Sequence, residues 1–266
     1  MKKNLKVNLI WFGLIIGLFL ILKGLELSGI MNLYYIQILM GIGISILMGL
    51  GTNLVLGFSG QFTLGQAGFM AIGAYSSAII TGMMPTYDGF YLSMVVGVII
   101  AAIVALIFGL PTLRLKGDYL AIVTLAFGEI IKNMVNVLYI GKDSKGFHVT
   151  TKDVMALNMD ADGTVILNGP QGITGTPKNS TFVIGFILIL LTLFIVQNLI
   201  NSRDGRAIMA IRDNRIAAES IGINITKYKL MAFTISAAMA GAAGVLYAHN
   251  ISTLTANTNN FGYNMS

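Results

Sequence analysis

Apolar residues run along this chain in long blocks separated by short polar stretches, and the length of the blocks is the first informative quantity. A helix that crosses a bilayer needs ~20 mostly apolar residues. Seven stretches meet that requirement: 9–31, 33–57, 62–84, 90–110, 119–140, 181–200 and 230–248. The first is the weakest, because Lys23 and Glu26 interrupt it near one end, where long side chains can reach back to the interface. The pattern predicts an all-α, polytopic membrane helix bundle forming one domain over 1–266. Between the fifth and sixth blocks, residues 141–180 are polar. Gly141-Lys142-Asp143, Asp160-Ala161-Asp162-Gly163 and Asn168-Gly169-Pro170 read there as turns, with a short hairpin around Thr164–Leu167. No strict internal repeat and no low-complexity tract divides the chain further.

Composition sharpens this reading. Of 266 residues, 55% are hydrophobic and only 11% charged, with a mean hydropathy of +0.79. Soluble domains carry about a quarter charged residues, so this chain cannot cover its own surface with polar groups. A soluble enzyme and an intrinsically disordered chain are both excluded, the latter because disorder goes with poverty in apolar residues. The absence of cysteine removes disulfides, thiolate metal sites and cysteine nucleophiles.

The net charge of +6 would fit nucleic acid if the cations were clustered for it, so their placement decides. Lys2, Lys3 and Lys6 precede the apolar run Leu9–Leu22, which resembles a signal peptide. No small-residue cleavage site follows in Lys23-Gly24-Leu25-Glu26-Leu27, so the segment reads as an uncleaved signal anchor. Cations near helix ends favour the cytoplasm, which puts the N-terminus inside. Alternation then places 111–118 inside with Arg114 and Lys116, and 201–229 inside with six Lys and Arg against Asp204, Asp213 and Glu219. Segment 141–180 falls outside, where four Lys balance four Asp. The positive charge reflects orientation in the membrane and not nucleic-acid binding.

Candidate chemistry is sparse. No Gly-x-x-x-x-Gly-Lys-Ser/Thr phosphate loop is present, so ATP hydrolysis of the usual kind is not encoded here. His148 and His249 lie far apart in the sequence without ligand neighbours, and no Ser/His/Asp constellation assembles. The chain reads as a transport-like membrane protein without its own motor, with no catalytic residues, metal or cofactor.

Three stretches stand out. From Gly57 to Tyr75, five glycines weaken a helix and permit close backbone approach. Gln61, Thr63 and Gln66, with Gly65 between them and Ser59 before them, supply neutral hydrogen-bonding groups. Interrupted helices at membrane depth are tolerated only against protein or a water-filled cavity. A translocation path and a tight turn before a close-packed helix fit equally well. In 119–140, Glu129, Lys132, Asn133 and Asn136 share one helical face. Ionisable groups inside a bilayer usually face a bundle interior or a water path; a pair that merely fixes packing is the competing reading. Residues 201–229 form the most basic segment and read as a short amphipathic helix closed by Gly222. It fits an interfacial helix on anionic lipid or, given Asp213, Glu219 and Ala217-Ala218, a protein groove.

At these residues the chain resembles the permease subunit of branched-chain amino-acid ABC importers, of the LivM type. The resemblance rests on Asn53–Gly57 running into Leu64-Gly65-Gln66-Ala67-Gly68 and Ile72-Gly73-Ala74-Tyr75, and on the string from Leu113 through Arg114 to Glu129 and Ile130. Gly169-Pro170-Gln171-Gly172-Ile173, Gly205–Asn224, and Tyr228–Phe233 through Ala240–Tyr247 complete it, and the likeness covers most of 40–266 in collinear order.

The resemblance implies a type II ABC-importer permease arrangement in a bacterial plasma membrane. Its partners would be a second homologous permease subunit, two cytoplasmic ATPase subunits and an extracytoplasmic substrate-binding protein. Gly205–Gly222 matches the cytoplasmic coupling segment, with Gly205, Arg206, Ile211, Ala217, Ala218, Glu219 and Gly222 as candidate ATPase-coupling residues. Gln61, Thr63, Gly65, Gln66, Glu129, Lys132, Asn133 and Asn136 are candidates for the translocation path or its gate. The order Ala-Ala-Glu departs from the family's Glu-Ala-Ala, and the outer loop 141–167 is longer than the family's usual connection.

The function expected on this basis is ATP-driven import of branched-chain amino acids by alternating access. An importer of the same build for urea or a short amide is the near alternative, and an ion-driven secondary transporter using Glu129 the distant one. The chain also stops where family members continue. The small-residue face Ser236, Ala240, Gly244 and Ala248 asks for a partner helix, for which Gly13 and Gly17 are candidates. The tail with Asn257, Asn259, Asn260 and Asn264 is too polar to enter the bilayer, and Phe261-Gly262-Tyr263 resembles a lead into further helices. About 40–60 further residues, enough for two more spans, are therefore expected.

Overall fold

The structure is a computed structural model that describes residues 2–115, 117–160, 162–251 and 253–256, with side chains from residue 13 onward. The side chains of Lys2, Lys3 and Lys6, the expected cytoplasmic Lys116, and the tail residues Asn257, Asn259, Asn260, Phe261, Gly262, Tyr263 and Asn264 lie outside the described residues. Each apolar block yields a helix: α1 (Lys2–Leu27), α2 (Leu33–Asn53), α3 (Gln66–Met83), α4 (Tyr87–Thr112), α5 (Asp118–Asn136), α6 (Phe182–Asn201) and α9 (Ile225–Asn250). Two short helices, α7 (Arg203–Asp213) and α8 (Arg215–Ser220), lie between the last two. Starts are chemically marked. Thr86, Thr181, Ser202, Asn214 and Asn224 each accept a backbone N–H from the first turn of α4, α6, α7, α8 and α9, satisfying donors that a helix cannot pair internally.

Among the described residues, four helices are long and apolar enough to cross a membrane: Leu33–Phe58, which is α2 with its π-helical extension, then α4, α6 and α9. They differ sharply in surroundings. Two-thirds of the apolar stretch of α9 is buried, against 28% in α4 and 22% in α6. Helix α9 is the central post, packed on α3, α4 and α2. Ser236, Ala240, Gly244 and Ala248 are all buried. A Cβ at Gly244 would collide with the Met70 carbonyl of α3, and one at Gly73 of α3 with Gly241 of α9. These are backbone-to-backbone contacts of the kind small residues allow in membrane bundles. The partner expected for this face is therefore α3 with α2; Gly13 and Gly17 of α1 have nothing within 4 Å. Helix α1 seats itself on α6 by stacking Phe19 on Phe182 and Phe186, with ring centroids 5.4 and 4.0 Å apart.

A phenylalanine cluster ties the helices around the post. Phe127 of α5 lies 4.9 Å from Phe69 of α3 and 4.1 Å from Phe108 of α4, and Phe69 meets Phe233 of α9 edge-on at 5.4 Å. His249 is fully buried and satisfied, its ring bonded to the Val245 carbonyl at 2.8 Å and to Thr81 Oγ1 of α3 at 3.1 Å. The outward faces of α4 carry Leu92, Val95, Ile99, Ile103, Ile107 and Leu110 in the open, a contiguous apolar surface suited to lipid.

Several boundaries differ from the pattern-based expectation. The third block, expected at 62–84, becomes helical only at Gln66, because 60–65 is irregular. The fifth, expected to run to 140, stops at Asn136, and Tyr139–Asp143 is strand β1. Strand β1 pairs antiparallel with β2 (Gly146–Thr150) and with β3 (Thr164–Asn168), giving the order β2-β1-β3. The hairpin is thus 139–150, and Thr164–Leu167 is a single strand on its other edge. A two-residue pair, β4 (Ile173–Thr174) with β5 (Thr253–Leu254), fastens this region to the end of α9. Ile140, Leu167, Ile173 and Leu254 plug into the core beside Tyr75 and Leu246.

The hairpin turn is held by Asp143. Its Oδ1 accepts the backbone N–H groups of Lys145 and Gly146 at 2.8 and 3.0 Å, and its Oδ2 that of Asp160 at 3.3 Å. His148 Nε2 sits 2.9 Å from the same carboxylate. Burial pushes the Asp143 pKa up, but these hydrogen bonds together outweigh it and hold the carboxyl below the ordinary aspartate value.

Candidate functional site

The glycine-rich stretch breaks the second long helix in a defined way. Helix α2 widens into a π-helical turn over Leu54–Phe58, in which the Ser59 N–H reaches back five residues to the Leu54 carbonyl. Such turns recur at functional positions. Gly60 then adopts φ +65°, a region that glycine enters without strain. The chain then runs without helix or strand to Gln66, where α3 begins.

A non-helical stretch inside a helical bundle must find partners for its polar groups, and most of them do. The Leu64 N–H donates to Thr124 Oγ1 of α5 at 3.0 Å, and Thr63 Oγ1 accepts the Gly65 N–H at 3.3 Å. Gln61 Nε2 donates to Ser59 Oγ and to the Lys229 carbonyl at the start of α9. Gln66 Nε2 donates to Ser236 Oγ of α9 at 2.9 Å, and that hydroxyl donates to the Gly51 carbonyl of α2 at 2.6 Å. Gly65 is pressed against the Thr124 backbone, where a Cβ would come within 2.9 Å. Gln61, Thr63, Gly65 and Gln66 are all buried. They form one polar seam joining α2, α3, α5 and α9. It is incompletely satisfied: the amide oxygens of Gln61 and Gln66 are buried without a partner, a costly situation that merits a physical account.

The second predicted group lies elsewhere. Helix α5 turns Leu120, Ala121, Thr124, Phe127 and Gly128 inward. Glu129, Lys132, Asn133 and Asn136 fall on the other side, half-buried or exposed. Glu129 and Lys132 pair at 3.0 Å, and Asn136 Nδ2 donates to the Ala256 carbonyl at 3.4 Å. The eight candidate path residues therefore fall into two groups that do not meet: a buried seam before and at the start of α3, and a set along α5 in which Glu129, Lys132 and Asn136 are half-buried and Asn133 is exposed.

Residues 201–229 hold two helices where one was expected. Asn214 breaks the run and caps α8 through Ala217 N at 3.1 Å. Gly222 ends α8 at φ +84°, with Gly222 N–H to the Glu219 carbonyl and Ile223 N–H to the Ala218 carbonyl. That is the glycine-dependent C-terminal cap the sequence predicts. Gly205 sits against the Leu199–Ile200 backbone with no room for a side chain, and Arg206 Nη1 donates to the Asn201 carbonyl at 3.1 Å. Ile211 and Ala218 are buried with Ile225 in a small core that holds both helices to the start of α9.

Ala217, Glu219 and Gly222 stay exposed. Beside them, Ile216 is 80% and Ile221 75% exposed. Two open isoleucines on a short, otherwise polar helix make an unpartnered apolar face. Neither was singled out in the sequence, although isoleucine among polar neighbours in a segment off the membrane was a readable signal. A hollow of about 460 Å³ opens alongside, lined by Arg203, Arg206, Gly222, Asn224, Lys227 and Tyr228.

Comparison with known proteins places this architecture. The pattern of the family described as "branched-chain amino acid transport system / permease component" matches residues 34–266. The chain belongs to this family. It is 36% identical over 214 residues to the high-affinity branched-chain amino acid transport system permease protein LivM of Salmonella typhimurium, and 34% identical over 214 residues to that of Escherichia coli. Each alignment covers 68% of this chain and 44% of the relative. The probable branched-chain amino acid transport permease protein LivM of Methanocaldococcus jannaschii is 29% identical over 161 residues, 59% of this chain and 41% of that protein. The chain thus spans less than half the length of the curated relatives it matches. No solved structure matches it. Membership in this family agrees with a polytopic helical membrane protein, four of whose described helices are long and apolar enough to cross a bilayer.

Proposed function

We propose that the chain is the membrane-spanning permease subunit of an ATP-driven importer for branched-chain amino acids. The observation that carries this reading is the exposed α7–α8 element. It leaves Ile216, Ile221, Ala217 and Glu219 open, and no described residue covers that face. Such a surface suits docking on a cytoplasmic ATPase better than lying free in water. The names of the relatives favour branched-chain amino acids over urea or a short amide.

In this reading the seven long helices all span a bacterial plasma membrane, with the N-terminus and α7–α8 in the cytoplasm and the 139–174 strands outside. Hydrolysis occurs in two separate ATPase subunits, so the chain is itself no enzyme and needs no cofactor. The flank of α5 with Glu129, Lys132, Asn133 and Asn136 lines a path shared with a second, homologous permease subunit. An extracytoplasmic binding protein delivers substrate near the strands. ATP binding moves α7–α8, and alternating access follows as the bundle opens to one side and then the other.

Uptake in proteoliposomes of the assembled complex tests this. Import should fail on ATP depletion and survive collapse of the proton gradient; the reverse would indicate an ion-driven carrier. Replacing Glu219→Ala and Gly222→Leu together should leave the chain inserted but unable to stimulate ATP hydrolysis, and normal coupling in that variant would refute the docking assignment.

A further inference from the structure

The side chain of Arg212 joins two elements that the preceding sections treat separately. It leaves the last turn of α7 and reaches the π-helical end of α2, where its Nη1 donates to the Gly57 carbonyl at 3.0 Å. Carbonyls in the last turn of a helix have no internal donor, and a cation there also meets the negative end of the helix dipole. The guanidinium is held in this direction by Asp213, whose Oδ1 accepts from Nε at 3.0 Å and from Nη2 at 2.9 Å. The stem of Arg212 lies on Gly60, so closely that a Cβ there would come within 2.7 Å of its Cγ. The residue therefore grips both sides of the helix break, at the carbonyl before it and the left-handed glycine that makes it. The next residue is Gln61, which opens the buried seam.

We infer that Arg212 is the positioning residue through which movement of α7–α8 reaches the interrupted segment 58–66. Three features make this segment the receiver. Its residues 60–65 belong to no helix or strand, so they can change course without breaking one. It carries two buried amide oxygens without partners, on Gln61 and Gln66, so its present hydrogen bonding is not its best. Its bonds to its neighbours are few: one to α5 through Thr124, and two to α9, from Gln61 to the Lys229 carbonyl and from Gln66 to Ser236. The driving side is rigid by comparison, since Ile208 and Ile211 anchor α7 and Gly205 locks it to the end of α6. A pull on α7 is transmitted by Arg212 to Gly57 and Gly60, and from there to the Gln61–Gln66 seam.

This inference rests on the proposed ATP-driven import, and its test keeps the two separate. In the reconstituted complex, Arg212→Met keeps the stem and removes the donors. It should hydrolyse ATP within ~2-fold of the parent while importing ~10-fold less substrate per ATP, an ordinary size for a lost coupling between sites. Arg212→Lys, which retains one donor, should recover part of the loss. Because the chain has no cysteine, a Phe62→Cys substitution can report on the segment directly. Its maleimide labelling rate should depend on nucleotide in the parent and lose that dependence in Arg212→Met. Unchanged import per ATP with unchanged labelling would overturn the inference. So would loss of insertion in both the Met and Lys variants, which would mark the contact as structural. Absence of import by the parent complex would instead refute the proposed function, while nucleotide-dependent labelling would still report on the latch.

Discussion

Helices α9 and α5 both sit within the same bundle, yet they solve opposite problems. Helix α9 is built from alanine, glycine and serine over much of its length and buries them against three neighbours. Helix α5 carries the stronger segregation of polar from apolar residues and buries only one side, against α3. In lipid the hydrophobic effect does not drive helices together, so close packing of small residues has to hold them. A helix with that surface is a fixed post. A helix with Glu129, Lys132, Asn133 and Asn136 along one flank, three of them half-buried, carries groups that lipid does not favour, and that flank belongs against water or another polar surface. The contrast assigns rigidity to α9 with α3, and motion to α5 with the 58–66 segment.

The most damaging way to break this division is to enlarge the post. Gly244→Leu places a side chain where the Met70 carbonyl lies, and Gly73→Leu does the same against Gly241. Each should cost about 3 kcal/mol or more, read as loss of the monodisperse, folded species in detergent. The same substitution at Gly13 or Gly17, where nothing lies within 4 Å, should be tolerated. A smaller effect is expected at the seam. Thr124→Val removes the acceptor for the Leu64 N–H and should cost about 1–3 kcal/mol for the stranded donor, measured as a lowered midpoint of thermal unfolding.

On the mobile side, Glu129→Gln should change stability by less than about 0.5 kcal/mol, the ordinary worth of such a helical pair, while reducing import. If the pair is structural, Glu129→Gln should instead impair assembly, and adding Lys132→Met should restore it. The smallest effect is local. The Asp143 carboxyl titrates lower in the folded hairpin than its ordinary value of 3.8, so its contribution is present above that pH and is lost as pH falls through the still lower folded value. Protease nicking between β1 and β2 should therefore stay constant from neutral pH to about 4. Asp143→Asn should raise nicking already at neutral pH, while leaving the helical bundle unchanged.

Much of this architecture was legible because the bilayer imposes a length on apolar runs. All seven blocks became helices, and the small-residue face of α9 is buried as its spacing demands. The failures have a common cause: hydropathy does not distinguish a glycine-rich apolar helix from a glycine-rich apolar break. Residues 62–65 fall within the third apolar block because Phe62 and Leu64 are apolar, while the break depends on Gly60 and on hydrogen-bond partners remote in the chain. Thr124 gave no sign of its role, since a threonine in an apolar helix usually bonds its own backbone, as this one also does through Ala121. The hairpin at 139–150 was hidden because Tyr139 and Ile140 extend an apolar run. Helical periodicity did gather Glu129, Lys132, Asn133 and Asn136 on one face. It could not show that this face turns away from Gln61 and Gln66, because that depends on where α5 sits.

The division between post and moving wall is tested most directly by distances in the assembled transporter. Spin labels on cysteines introduced into the parent chain, one pair across α3 and α9 and another across α5 and α9, can be measured by pulsed electron paramagnetic resonance with and without ATP trapped in the partner subunits. The account predicts an unchanged α3–α9 distance and a shift of ~2 Å or more between α5 and α9, on the scale of helix movements in switching proteins. A shift across α3 and α9 as large as that across α5 and α9 would contradict it.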